Sequence, residues 1–257
     1  MGVPHDAKLF GMQILFATAS SPISWTGSEA FSIVGFSLGG GIIMSFSSYF
    51  PYLVESIVLL APGGILRYLP KEYENACFHY PHLVPYSYLR RMVGNLLGVS
   101  SSPAPLDSSR SDSEDQAGLK VSQATQSVDK GLINVSAIVQ WQFDHHRGFV
   151  HSFINTIEHG PFMHQHMDWR RICSVIKGHT VQNSSRSRLL DGKILVIFGD
   201  TDGVVVAEEV SADLSEMIGG PEHVTFRSVP GDHGFPVPSC EEVVKHISEF
   251  WDLHVDC

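Results

Sequence analysis

The most constraining feature of this chain is Gly35-Phe36-Ser37-Leu38-Gly39. An apolar run, Phe31-Ser32-Ile33-Val34, precedes it, and Gly40-Gly41-Ile42-Ile43-Met44 follows. That order predicts strand, sharp turn and helix, with a serine at the apex. A serine on such a turn sits in strained backbone geometry, and neighbours without Cβ let strand and helix pass closely. The hydroxyl then projects beyond the sheet, and the first amides of the following helix present free N–H groups and a positive dipole to a developing oxyanion.

Two downstream segments give the serine a context. Lys193-Ile194-Leu195-Val196-Ile197-Phe198 reads as a buried strand that runs into the acidic loop Gly199-Asp200-Thr201-Asp202-Gly203. Val224-Thr225-Phe226-Arg227-Ser228-Val229 alternates like a strand and ends in Pro230-Gly231-Asp232-His233-Gly234. Serine, aspartate and histidine therefore follow one another along the chain, each at the end of a predicted strand. Asp200 and Asp202 both stand as candidates for the acid. Asp232 adjoins His233, but an adjacent residue points elsewhere.

With these motifs in this order and context, the chain resembles the α/β-hydrolase superfamily, of the cap-bearing serine-hydrolase type. The similarity covers residues 1–66 and 191–257 well and the middle loosely. It implies an α/β fold with a mostly parallel sheet, helices on both faces and a helical cap insertion. It further implies Ser37 as nucleophile, His233 as general base and the Leu38 N–H as first oxyanion donor. The superfamily pattern after the acid-bearing strand is Gly-x-x-Asp, which selects Asp202 and leaves Asp200 as a turn-former. The implied chemistry is acyl transfer on a carboxylic ester or related small apolar acyl substrate, without metal or organic cofactor. Thioesters, amides and carbon–carbon cleavage of diketones use the same three groups. A serine at this position argues against the epoxide and haloalkane branches, which the resemblance says use aspartate there.

Composition bounds the alternatives. The chain has 257 residues, of which 43% are hydrophobic and 17% charged, enough to bury one sizeable core. A formal net charge of −10 argues against nucleic acid and against an anionic membrane surface as partners. Cys77, Cys173, Cys240 and Cys257 show no C-x-x-C spacing and read as free thiols of a reducing, cytoplasmic compartment. Leu9 to Ala19 admits a secretory leader as a competing reading. Asp6 and a single preceding lysine argue against it and favour a helix from Asp6 to Ala19, buried on much of its surface. No run is long enough to span a bilayer. His164-Gln165-His166 and Asp144-His145-His146 do not make a complete metal-ligand set.

Between the predicted strands lies a long insertion, residues 67–190. Phe78 to Leu97 is aromatic and helical in character. From Gly98 to Gly131 come nine serines and no aromatic residue, so residues 98–131 read as a disordered loop. From Leu132 the chain is helical again, with Trp141, Phe143, Phe149, Phe153, Phe162 and Trp169 expected to serve mainly as the insertion's own core. Asn183 to Ser187 reads as a polar hinge. Ser239 and Glu242 suggest a capping box before a last helix whose apolar face is Val243, Val244, Ile247, Phe250 and Trp251.

The resemblance also exposes a gap. In a complete α/β-hydrolase the serine strand is the fifth of eight, whereas residues 1–30 offer one helix and no strand. The loop that supplies a second oxyanion N–H is expected to be missing, at a cost of about 3–4 kcal/mol of transition-state stabilisation. The Ser37 strand is expected to form an open sheet edge. The alternative to an active hydrolase is therefore a truncated, catalytically impaired remnant that at most binds an apolar small molecule.

Overall fold

The computed structural model describes residues 3–25, 30–73, 76–99, 125–126, 133–181, 193–219 and 223–252. Its main sheet has four strands: β1 (Phe31–Phe36), β2 (Val54–Leu60), β5 (Ile194–Gly199) and β6 (Val224–Val229), in the order β1-β2-β5-β6. Every neighbouring pair in it is parallel. Two short strands, β3 (Thr125–Gln126) and β4 (Ile133–Asn134), pair antiparallel elsewhere. β5 throughout and β2 from Ile57 onward are continuously apolar, as strands covered on both faces are, and nearly all residues of both are buried. Among the described residues nothing pairs with the outer side of β1, and on one face of that strand Val34 is 44% and Phe36 41% exposed.

Helices flank both faces of the sheet. A Cβ built on Gly35 would sit 2.8 Å from Ile43 Cδ1, so that face of β1 carries α2 (Leu38–Tyr49). Gly35 aligns with Leu59 of β2, and Ser56, three residues before Leu59, points to the other face. There its hydroxyl accepts a hydrogen bond from Trp251 Nε1 of α9 (Cys240–Asp252) at 2.9 Å. The remaining helices are α1 (Ala7–Ser20), α3 (Ala76–His79), α4 (Tyr86–Leu97), α5 (Val135–His145), α6 (Phe149–His159), α7 (His166–Val181) and α8 (Ala207–Ile218). None of the described helices is long and apolar enough to cross a membrane.

Two compact units divide the chain: residues 1–69 with 159–257, and residues 70–158. The first holds the sheet and its core. The second has a separate core of Phe78, Leu89, Val93, Val99, Phe143, Val150 and Ile154. The sequence reading gave all of 67–190 to the insertion, and here the structure differs. α7 lays Trp169, Ile172, Cys173 and Ile176 into the core of the sheet unit. An aromatic, amphipathic helix reads alike whichever core it joins, so its sequence does not disclose its partner. The serine-rich segment and the 183–187 hinge lie outside the described residues, apart from Gly98, Val99 and β3.

Other expectations change as well. α1 is not buried on much of its surface: only Gly11 is buried, while Met12 is 47% and Phe16 65% exposed. Gly11 lets α1 approach α2 at Phe46, and among the described residues nothing covers the opposite face. Asp6 caps α1, its Oδ1 accepting from Lys8 N and Leu9 N. In α9, Val243 and Phe250 are buried but Val244 is 59% exposed, one step off the packed stripe. The Ser239 hydroxyl donates to the Pro230 carbonyl at 2.6 Å, and Ser239 N, the amide a capping box would hand to the Glu242 side chain, donates to Phe235 O at 2.9 Å.

Candidate active site

At the carboxyl end of β1 the backbone turns abruptly. Ser37 has φ 52° and ψ −121°, a conformation L-residues seldom hold. Its main chain is fastened on both sides. Ser37 N donates to Leu60 O at the end of β2, and Ser37 O accepts from Gly40 N and Gly63 N at 2.9 and 2.8 Å. The tight packing that permits this uses glycines the sequence reading only partly identified. A Cβ on Gly35 would lie 2.6 Å from the Gly39 carbonyl oxygen, and one on Gly40 would lie 2.5 Å from Pro62 Cβ. One on Gly41 would collide with the Pro161 carbonyl, whereas one on Gly39 would meet nothing within 4 Å. Leu38 is the first residue of α2, so its N–H has no intrahelical acceptor.

Asp202 stands in the loop after β5. Its Oδ1 accepts from Val204 N and Val205 N at 2.8 and 2.9 Å, and its Oδ2 lies 2.8 Å from His233 Nδ1. Burial pushes this carboxyl up, but the His233 hydrogen bond, the two amides and the nearby imidazole outweigh burial and hold it below its ordinary value. An ionised carboxylate only accepts, so Nδ1 carries the proton and Nε2 faces the serine as acceptor. His233 Nε2 is 2.8 Å from Ser37 Oγ. Ser37, His233 and Asp202 thus form one hydrogen-bonded row at the carboxyl ends of β1, β6 and β5, where open α/β sheets place their sites.

The neighbouring acids have other duties. Asp200 Oδ1 accepts from Gly231 N at 2.9 Å and braces the loop after β5 against the loop that carries His233. Asp232 Oδ1 accepts from Gly234 N at 2.8 Å. Within the helical unit of residues 70–158 polar side chains have partners of their own. Asp144 binds Arg90 and Gln140, and His145 bonds the Trp141 carbonyl. One residue escaped the sequence reading: Phe36 lies with its ring centroid 5.2 Å from that of His233. The available signal was its place, immediately before the serine.

A cavity of about 600 Å³ lies elsewhere in the sheet unit, among α1, α2 and α7. Its lining includes Gly11, Met12, Leu15, Phe46, Phe50 and Asp168, and none of Ser37, Asp202 or His233.

No family model matches the chain. Uncharacterized proteins of Mycobacterium tuberculosis and Mycobacterium bovis are 36% identical to it over 84 residues, 28% of this chain and 25% of theirs. The match thus spans about a quarter of those relatives' length. Solved structures resemble it over nearly its whole length. The meta-cleavage product hydrolase CumD of Pseudomonas fluorescens IP01 is 15% identical with a TM-score of 0.55, covering 98% of this chain and 73% of that one. A carboxylesterase structure from the thaumarchaeon Nitrososphaera gargenis is 15% identical with a TM-score of 0.58, covering 98% and 74%. A bacterial membrane phospholipase A is 13% identical with a TM-score of 0.57, covering 100% and 66%. These likenesses define the class: the chain carries an α/β-hydrolase fold in part, with four parallel strands of its sheet described.

Proposed function

We propose that this protein is a serine hydrolase acting on a carboxylic ester or related small apolar acyl substrate. The observation that carries the reading is the pair of 2.8 Å contacts that His233 makes, through Nε2 to Ser37 Oγ and through Nδ1 to Asp202 Oδ2. In this reading His233 takes the Ser37 proton as Oγ attacks the acyl carbon. Asp202 holds the imidazole tautomer and stabilises the imidazolium that forms. The Leu38 N–H receives the oxyanion. His233 returns the proton to the leaving group, and water, activated by the same imidazole, releases the acid from the acyl-enzyme. The helical unit of residues 70–158, inserted in sequence between β2 and β5, is the cap of this reading. The fold neighbours supply the analogy, since they include a meta-cleavage product hydrolase and a carboxylesterase.

Hydrolysis of a p-nitrophenyl ester series by the wild-type chain and by Ser37→Ala tests the proposal. A rate that vanishes with the hydroxyl supports it; a rate unchanged by the substitution refutes it.

A second reading has its own observation. The apolar cavity among α1, α2 and α7 supports a protein that holds an apolar small molecule without turning it over. Saturable binding of a fluorescent apolar probe, with no ester turnover by the wild-type chain, selects this reading.

A further inference from the structure

We propose that Phe36 is a positioning residue for His233: its ring lies against the imidazole face and holds the plane in which Nδ1 meets Asp202 and Nε2 meets Ser37. The inference rests on the serine chemistry proposed above. The need for such a residue follows from torsion. Rotation of an imidazole about its Cβ–Cγ bond is broad and roughly two-fold, so the side chain has no intrinsic preference sharp enough to aim both nitrogens. The two hydrogen bonds act at the ring's edge. A contact on its face is what resists tilting, and Phe36 supplies one, at 5.2 Å between centroids with the planes 33° apart.

Phe36 is itself held in place. Its ring meets Phe235 edge-on, at 6.4 Å and 85°, and Phe235 is fully buried. Phe235 in turn packs where Gly199 and Gly231 lack side chains. A Cβ on Gly199 would lie 3.0 Å from Phe235 Cδ1, and one on Gly231 would lie 3.1 Å from Phe235 Cβ. The support therefore runs from the two loops that present Asp202 and His233, through Phe235 and Phe36, back to the imidazole. Phe36 remains 41% exposed, so burial alone does not account for an aromatic ring at this position. When His233 takes the Ser37 proton, its charge forms beside the electron-rich ring, a geometry that favours the imidazolium.

The test compares Phe36→Leu, which keeps apolar bulk but removes the flat face, with Phe36→Tyr, which restores that face. Three quantities are read: kcat and KM for p-nitrophenyl acetate, the melting temperature, and the downfield proton resonance of His233 Nδ1–H. Phe36→Leu is expected to lower kcat about tenfold with KM and melting temperature little changed, and to broaden the Nδ1–H resonance. Phe36→Tyr is expected to recover both. A Leu variant with wild-type kcat and a sharp resonance overturns the proposal, as does a Tyr variant as impaired as Leu. If the wild-type chain turns over no ester, the proposed function fails instead. The resonance, which needs no turnover, then decides the role of Phe36 alone.

Discussion

Asp202 Oδ2 and His233 Nδ1 lie 2.8 Å apart, with the Asp202 side chain 1% and the His233 side chain 22% exposed. A carboxylate so withdrawn from water is stable only when hydrogen-bonded, and Asp202 spends Oδ1 on two amides and Oδ2 on the imidazole. The arrangement separates two aspartates that stand two positions apart in sequence. Asp202 serves the histidine, while Asp200 serves the backbone at Gly231.

Asp202→Asn and Asp200→Asn are therefore expected to fail differently. Asp202→Asn leaves the shape intact but disturbs the imidazole tautomer, so ester turnover should fall on the order of 10⁴-fold, the loss typical of such an exchange. Asp200→Asn weakens one charge-assisted bond between loops, so it should cost about 1–2 kcal/mol of stability with a much smaller loss of rate. Steady-state kinetics and denaturant unfolding of both variants measure the contrast. Equal kinetic losses would contradict the division of roles.

The same carboxylate sets an acid limit on stability. Its folded-state value lies below its ordinary one, so its contribution is fully present above the unfolded value of about 4 and disappears as pH falls through the folded one. Unfolding free energy measured from pH 6 to pH 3 should therefore decline more steeply in the wild-type chain than in Asp202→Asn. Parallel curves would count against the shift.

Much of this was legible in sequence because the site depends on strand ends. The runs at Phe31, Ser56, Ile194 and Val224 are short and apolar, and each of the three polar residues follows one of them after a glycine-bearing turn. The covered face of α7 was not legible, because apolar spacing reports that a face is buried without naming what buries it. α1 misled for a related reason: its apolar content implies burial, yet Phe16 is 65% exposed. The constraint on Gly40 and Gly41 comes from Pro62 and Pro161, both distant in sequence, so the glycine run does not disclose it. Phe36 carried no signal beyond its place next to Ser37.

The glycines of α2 give a stability contrast. Gly41→Ala places a methyl group against the Pro161 carbonyl, which is main chain and cannot rotate aside. It should destabilise by about 1–3 kcal/mol or more. Gly39→Ala meets open space and gains helix propensity, so it should be neutral or stabilising by up to about 1 kcal/mol. Thermal unfolding of the two variants should move in opposite directions or differ by several degrees. Matching melting temperatures would show that the α2 contact yields more easily than its geometry implies.

Cys173 is 1% exposed in the core of the sheet unit, and burial pushes its thiol up to about 11. It should resist alkylation by iodoacetamide at pH 7.5 in the folded chain and react once the chain is unfolded. Rapid modification under native conditions would place α7 away from that core.

The most direct test of the central claim is mass spectrometry of the chain after exposure to a fluorophosphonate probe. The account predicts one covalent adduct on Ser37, absent from Ser37→Ala and strongly slowed in His233→Ala. An intact wild-type mass after prolonged exposure, or an adduct that persists in Ser37→Ala, would contradict it.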